Sequence, residues 1–192
     1  MDYTFGRPVH YYLLLLIWGL GSLAAPATVA QQKMPALPTP PVALSSPMRT
    51  YALRLRPGDD LRQQLTAFTQ QHSIKAGAIV TCVGSLTTTT LRLANQEGPT
   101  VYQGHFEIVS LVGTLSVNGS HLHLSVADST GHTLGGHLLD GNRIYTTAEL
   151  VIGVLEELEF RRETDPVSTY QELSIYPAPS SQKPRRASPK KP

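Results

Sequence analysis

Apolar and polar residues alternate along most of the middle of this chain, and alternation marks a strand with one buried face. From Met48 to Arg56, Tyr51, Leu53 and Leu55 stand against Ala52, Arg54 and Arg56, with Arg49 at the open end of the segment. Pro57-Gly58 then turns the chain and Asp59 is placed to cap a helix. Between Asp60 and His72 the period changes: Leu61, Leu65 and Phe68 fall at i, i+4 and i+7, which predicts an amphipathic helix. Ile74 to Val83 reads as a buried strand closed by Gly84-Ser85, and Thr87 to Ala94 as a separate Thr-rich strand before the Gly98-Pro99 turn.

Strand follows strand after that. Thr100 to Ser116 carries Gly104 and Gly113 at positions that predict bulges or close backbone approach. Asn118-Gly119 signals a tight hairpin into residues 121–127, Asp128 to Gly131 is a turn, and Leu134 to Leu138 is a short strand. Arg143 to Phe160 reads as one long apolar strand with Glu156, Glu157 and Glu159 near its end, and Tyr170 to Ile175 as an edge strand. One principal helix among seven or eight strands predicts an α+β domain with a mainly antiparallel sheet. A long strand with a helix on one face leaves the other face to be covered, and oligomerisation covers it most simply.

The ends differ in composition. Residues 1–30 contain Arg7, an apolar run from Tyr11 through Leu16 to Leu20, and small residues at Ala24, Ala25, Ala27 and Ala30, the order of a secretory signal peptide. The run is interrupted by Gly19, Gly21 and Pro26 and is short for a membrane span, so no integral membrane domain is expected beyond it. The expected location is periplasmic or extracellular, with membrane anchoring if the segment is retained. Residues 31–47 hold five prolines and read as an extended linker, and residues 177–192 form a Pro-rich cationic tail without an acid, expected to be disordered. The single cysteine, Cys82, excludes an internal disulfide and reads as a small buried hydrophobe.

Charge separates the ends from the middle. The whole chain carries +2, but residues 48–176 hold nine Arg and Lys against thirteen Asp and Glu, a net −4. A domain that binds nucleic acid through its fold ordinarily has the opposite sign, because cations must replace counterions on phosphates.

The candidate chemistry lies in Gly119-Ser120-His121-Leu122-His123-Leu124 and Gly135-Gly136-His137-Leu138. On a strand His121 and His123 share a face, roughly 7 Å apart, and their imidazoles can reach one ion at about 2.0–2.1 Å. An adjacent strand need only deliver His137, with Gly135 and Gly136 allowing the close approach. Three neutral imidazoles favour zinc and leave a fourth coordination position open; nickel, copper or iron accept the same ligands. Glu107 and Glu149 are the acids best placed to orient a ligand histidine or to serve as a base. His72, His105 and His132 read as surface or turn residues, and Arg161-Arg162 as a solvated pair. No phosphate-binding glycine loop and no Gly-x-Ser-x-Gly elbow occurs.

Taken together, Gly104-His105-Phe106-Glu107-Ile108-Val109-Ser110-Leu111-Val112-Gly113, His121-Leu122-His123-Leu124, Gly131 and Gly135-Gly136-His137-Leu138 resemble the PPC domain, the plant- and prokaryote-conserved domain also called DUF296 or PD1-like DNA-binding domain. The likeness covers about residues 48–176. It implies a homotrimer, with Gly104, His105, Phe106, Glu107, Ile108 and Val109 matching the family's partner-contact segment, and His121, His123 and His137 matching metal-ligand positions. DNA binding is the role the family label implies. Here no Arg-Gly-Arg-Pro AT-hook occurs; Lys183-Pro184-Arg185-Arg186 is basic but lacks the glycine. The expected function is therefore metal binding in a binding or regulatory role rather than catalysis. DNA binding through the tail and metal-dependent hydrolysis are the alternatives.

Overall fold

The structure, a computed structural model, describes residues 43–179. The signal segment 1–30, most of the linker and most of the basic tail lie outside the described residues. Eight strands and one helix follow in the order β1 (Met48–Leu55), α1 (Leu61–Gln71), β2 (Gly77–Arg92), β3 (Thr100–Leu115), β4 (His121–Ala127), β5 (Thr133–Leu138), β6 (Arg143–Leu155), β7 (Leu158–Thr164) and β8 (Gln171–Pro177). The expectation of an α+β domain is corrected: this is a mostly antiparallel β fold in which the 11-residue α1 is a minor element. Among the described residues the helical period occurs once, and the other apolar patterns go into strands.

Six strands form one antiparallel sheet in the order β1-β6-β2-β3-β4-β5, and β5 also pairs with the far end of β2. That second pairing curls β2 through β5 back on themselves around Leu86, Leu91, Leu111, Leu115, Leu124 and Val126, all buried. Helix α1 lays Leu61 and Leu65, both fully buried, on this core. Phe68 sits at the rim, edge-on to Tyr51 with ring centroids 5.4 Å apart. Asp60, not Asp59, caps the helix: its Oδ1 accepts from the Gln63 amide at 3.1 Å, while Asp59 accepts from the Arg56 amide in the preceding turn.

Two strand expectations change. Residues 77–92 form one 16-residue strand instead of two, because Gly84 bends without breaking. Its φ is +148°, and an added Cβ would lie 2.2 Å from the Thr147 carbonyl oxygen, so β6 approaches closer there than any side chain permits. Conversely, the expected strand 143–160 divides at Glu156-Glu157 into β6 and β7, and β7 pairs with β8 as a separate hairpin. Buried Asn142 ties the closure. Its Nδ2 donates to the carbonyls of Thr90 and Leu139 at 2.8 and 2.7 Å, and its Oδ1 accepts from the Thr90 amide at 3.0 Å. Cys82 is buried and unpaired, and burial pushes its thiol up to about 12, which leaves it inert at neutral pH. Among the described residues no helix is long and apolar enough to cross a membrane.

Candidate metal centre

Strand register builds the site. On β4, Leu122 and Leu124 point into the core while His121 and His123 point outward. His123 pairs with His137 on β5, and His137 pairs with Arg92 at the end of β2. On the other side, Val112 and Thr114 of β3 face His123 and His121. A row Arg92–His137–His123–Val112 thus crosses four strands on one face, with His121 one pleat away. Gly136 makes the crossing possible: a Cβ there would sit 2.6 Å from the Arg92 carbonyl oxygen.

The three imidazoles converge. His121 Nε2, His123 Nε2 and His137 Nδ1 form a triangle with sides of 3.1, 3.2 and 3.1 Å. Hydrogen bonds cannot satisfy this triangle. Each neutral ring nitrogen is either a donor or an acceptor, so at least one of the three edges must join two alike. A cation resolves the conflict, because all three nitrogens can then present lone pairs to one centre. Tetrahedral ligands at about 2.0–2.1 Å from zinc lie about 3.3 Å from one another, close to the spacing found. The residues fit a metal ion.

The surroundings favour the metal-binding form of two of the rings, His121 and His137. Burial lowers the pKa of His121 and His137, and nearby guanidinium groups lower it further, Arg162 for His121 and Arg92 for His137. Arg162, expected as one of a solvated pair, is instead half-buried: its Nη2 donates to Thr114 Oγ1 at 2.8 Å and its stem lies against Gly119. Only Arg161 stays exposed as expected, its Nε donating at 2.8 Å to the carboxylate of the largely buried Glu159.

Other expected positions are placed differently. Glu107 pairs with Ala127, four residues along β4 from His123, which is about 13 Å at strand rise. Glu149 lies between Arg54 and Val83, three strands from β4. Within the chain neither reaches the histidines, so a hydrolytic reading has no base from these two. Two other acids lie nearer the cluster: Glu172 of β8 shares a groove with His121 and Arg162, and Glu97 lines a groove with His121 and His137. In the segment 104–109, Phe106 and Ile108 are buried while His105, Glu107 and Val109 are exposed, and the His105 ring lies 4.3 Å from that of Tyr145. No sequence pattern ties Arg92, Arg162 or Glu172 to the histidines, because that relation depends on strand pairing and on a hairpin that folds back from outside the main sheet.

Residues 43–156 match the profile of the Plants and Prokaryotes Conserved (PCC) domain, more than half of the chain. The chain belongs to this family. A solved structure of a hypothetical protein from Salmonella cholerae-suis is 48% identical and superposes with a TM-score of 0.69, covering 70% of this chain and 98% of that one. A bifunctional protein GlmU from Synechococcus sp. (strain JA-2-3B'a(2-13)) is 46% identical over 140 residues, 73% of this chain and 22% of that protein. AT-hook motif nuclear-localized protein 13 of Arabidopsis thaliana is 33% identical over 97 residues, 45% of this chain and 22% of that protein. The chain spans about a fifth of the length of these curated relatives. The PCC match ends at residue 156, so β7 and β8, which supply Arg162 and Glu172, lie beyond it.

Proposed function

We propose that this PCC domain is an exported, homotrimeric binding module that holds a divalent transition metal, zinc first, through His121, His123 and His137. The triangle of ring nitrogens carries the reading, since no pattern of protons satisfies it and one cation does. When bound, the metal supplies a Lewis-acid centre with a position open to a ligand. The protein's own part is to fix three imidazoles on adjacent strands and to favour the neutral form of His121 and His137. A binding role is preferred to catalysis, because Glu107 and Glu149 stand away from the cluster within one chain.

Exposed apolar residues support self-association. Val80 and Val83 of β2, Val109 and Val112 of β3 and Tyr145 of β6 are each 44–58% exposed on three neighbouring strands, on the face away from α1. Such a contiguous patch marks an interaction surface. The DNA-binding role that the family resemblance implies is disfavoured by the net charge of the fold, since residues 43–179 carry nine basic against thirteen acidic side chains.

Metal analysis of the purified protein combined with its mass in solution tests both parts. One metal ion per chain and a mass of three chains are expected. A metal-free chain refolded and re-exposed to zinc without uptake would reject the site, and a monomeric mass would reject the assembly. For export, N-terminal sequencing of the mature protein is expected to begin at Gln31; an intact Met1 in the secreted fraction would contradict cleavage.

A further inference from the structure

The histidine cluster is flanked by two guanidinium groups that form no ion pair within 4.0 Å among the described residues. Arg92 stands opposite His137 in the β2–β5 pairing, and Arg162 reaches Thr114, which stands opposite His121. Neither arginine makes an ion pair within 4.0 Å among the described residues, and Arg92 donates no side-chain hydrogen bond to any of them. Both line one open groove of about 800 Å³ together with His121 and His137. Glu97 and Glu172 also line it, so the side-chain charges balance before any metal is bound. Adding a divalent cation leaves an excess of two positive charges in the groove. Glu172 is engaged from its own hairpin, accepting from Ser168 Oγ at 3.1 Å.

A cationic centre between two half-buried, unpaired guanidinium groups is a poor site for a metal alone and a good one for a metal with an anion. Guanidinium forks match the oxygens of carboxylates and phosphates, and the bonds are charge-assisted. We infer that the groove binds the oxyanion of a small ligand, a carboxylate or a phosphate, between Arg92 and Arg162 and over the histidine cluster. The inference deepens the metal-site reading and rests on the cluster being a working site. It places specificity in the β7–β8 hairpin, beyond the part of the chain that matches the family profile, through Arg162 and the neighbouring Tyr170.

The test is equilibrium dialysis of the full chain, freed of unbound metal, against inorganic phosphate and separately against acetate, with metal content measured on the same samples. At about pH 8, where neutral imidazoles no longer need Arg92 to stay deprotonated, saturable binding of one anion per chain is expected, weakened at least about 10-fold in Arg92→Gln. Anion bound per metal ion is compared between variant and wild type, so that a change in metal content is told apart from loss of the anion. The anion that binds more tightly identifies the acid. Arg92→Gln is the deciding variant because the Arg92 side chain makes no bond the fold needs; Arg162→Gln should weaken binding similarly if it folds. Equal affinity in wild type and Arg92→Gln would overturn the inference, as would no saturable binding of either anion. A wild-type chain without metal would sink the metal reading instead, and the Arg92→Gln comparison on that metal-free chain would still decide the role of the arginines.

Discussion

Replacing His123 by alanine should abolish metal uptake at the proposed site and leave the fold standing. His123 sits at the middle of the cluster, 3.1 Å from the ligand atoms of both other histidines. Its side chain is exposed, and its removal opens no cavity in the core. Losing an outer partner of a ligand typically costs 10–100-fold in metal affinity, so loss of a ligand should exceed about 100-fold. Two imidazoles would remain where three are needed to hold zinc with an open position. The readout is metal per chain after dialysis, with thermal unfolding of the metal-free variant as the control. That variant should unfold within about 0.5 kcal/mol of metal-free wild type, as exposed substitutions usually do. Full metal retention in His123→Ala would remove these histidines from consideration.

The same site predicts the direction of its pH dependence. His121 and His137 are held below the usual 6.5, chiefly by burial and then by Arg162 and Arg92. Their neutral forms are favoured in the folded chain, so the unfolded chain binds more protons as pH falls below about 6.5. The associated stability is present above that value and is lost as pH drops through the lowered folded values. Metal retention should follow the same course, because only neutral imidazole binds. Metal released on raising rather than lowering pH between 5 and 8 would contradict it.

Gly113→Ala should cost at least about 2 kcal/mol of stability, a large share of what a domain of this size possesses. Gly113 has φ +138°, and an added Cβ would lie 2.0 Å from the His121 carbonyl oxygen and 2.9 Å from the Leu122 Cα. These are backbone atoms of the paired strand, and no rotamer change relieves them. To accept the methyl group, β3 and β4 must separate where His121 enters the site. Metal affinity should therefore fall along with stability. Gly98→Ala is the control: a Cβ added there would meet nothing within 4 Å, and the change should be neutral within about 0.5 kcal/mol. Chemical denaturation of both variants decides the point; a Gly113→Ala protein as stable as wild type would mean that the strands are not packed as closely as described.

Much of this was legible along the chain because strand chemistry is local. Alternation places Leu122 and Leu124 inward and thereby His121 and His123 outward, whatever the neighbours are. Asn118-Gly119 turns β3 into β4, and glycines at 113 and 136 stand where backbones touch. The helix read from Leu61 and Leu65 forms where its period predicts it. Reading an α+β domain from one principal helix among seven or eight strands overstated the helix, because a pattern reveals an element but not its share of the fold. The boundary errors have one cause as well. A bulge keeps Gly84 inside a continuous strand, and a two-residue turn divides β6 from β7, and both depend on which strand lies alongside.

By itself the sequence determined three histidines on exposed faces of strands, with glycines permitting close approach, and a fold with an acidic net charge. Tertiary structure alone decided which charges keep company with them. The β2–β5 pairing sets Arg92 across from His137, and the β7–β8 hairpin brings Arg162 and Glu172 to His121. These contacts join residues tens of positions apart, so no local periodicity encodes them. They follow from register and from where a hairpin folds back, which the packing of the whole chain settles.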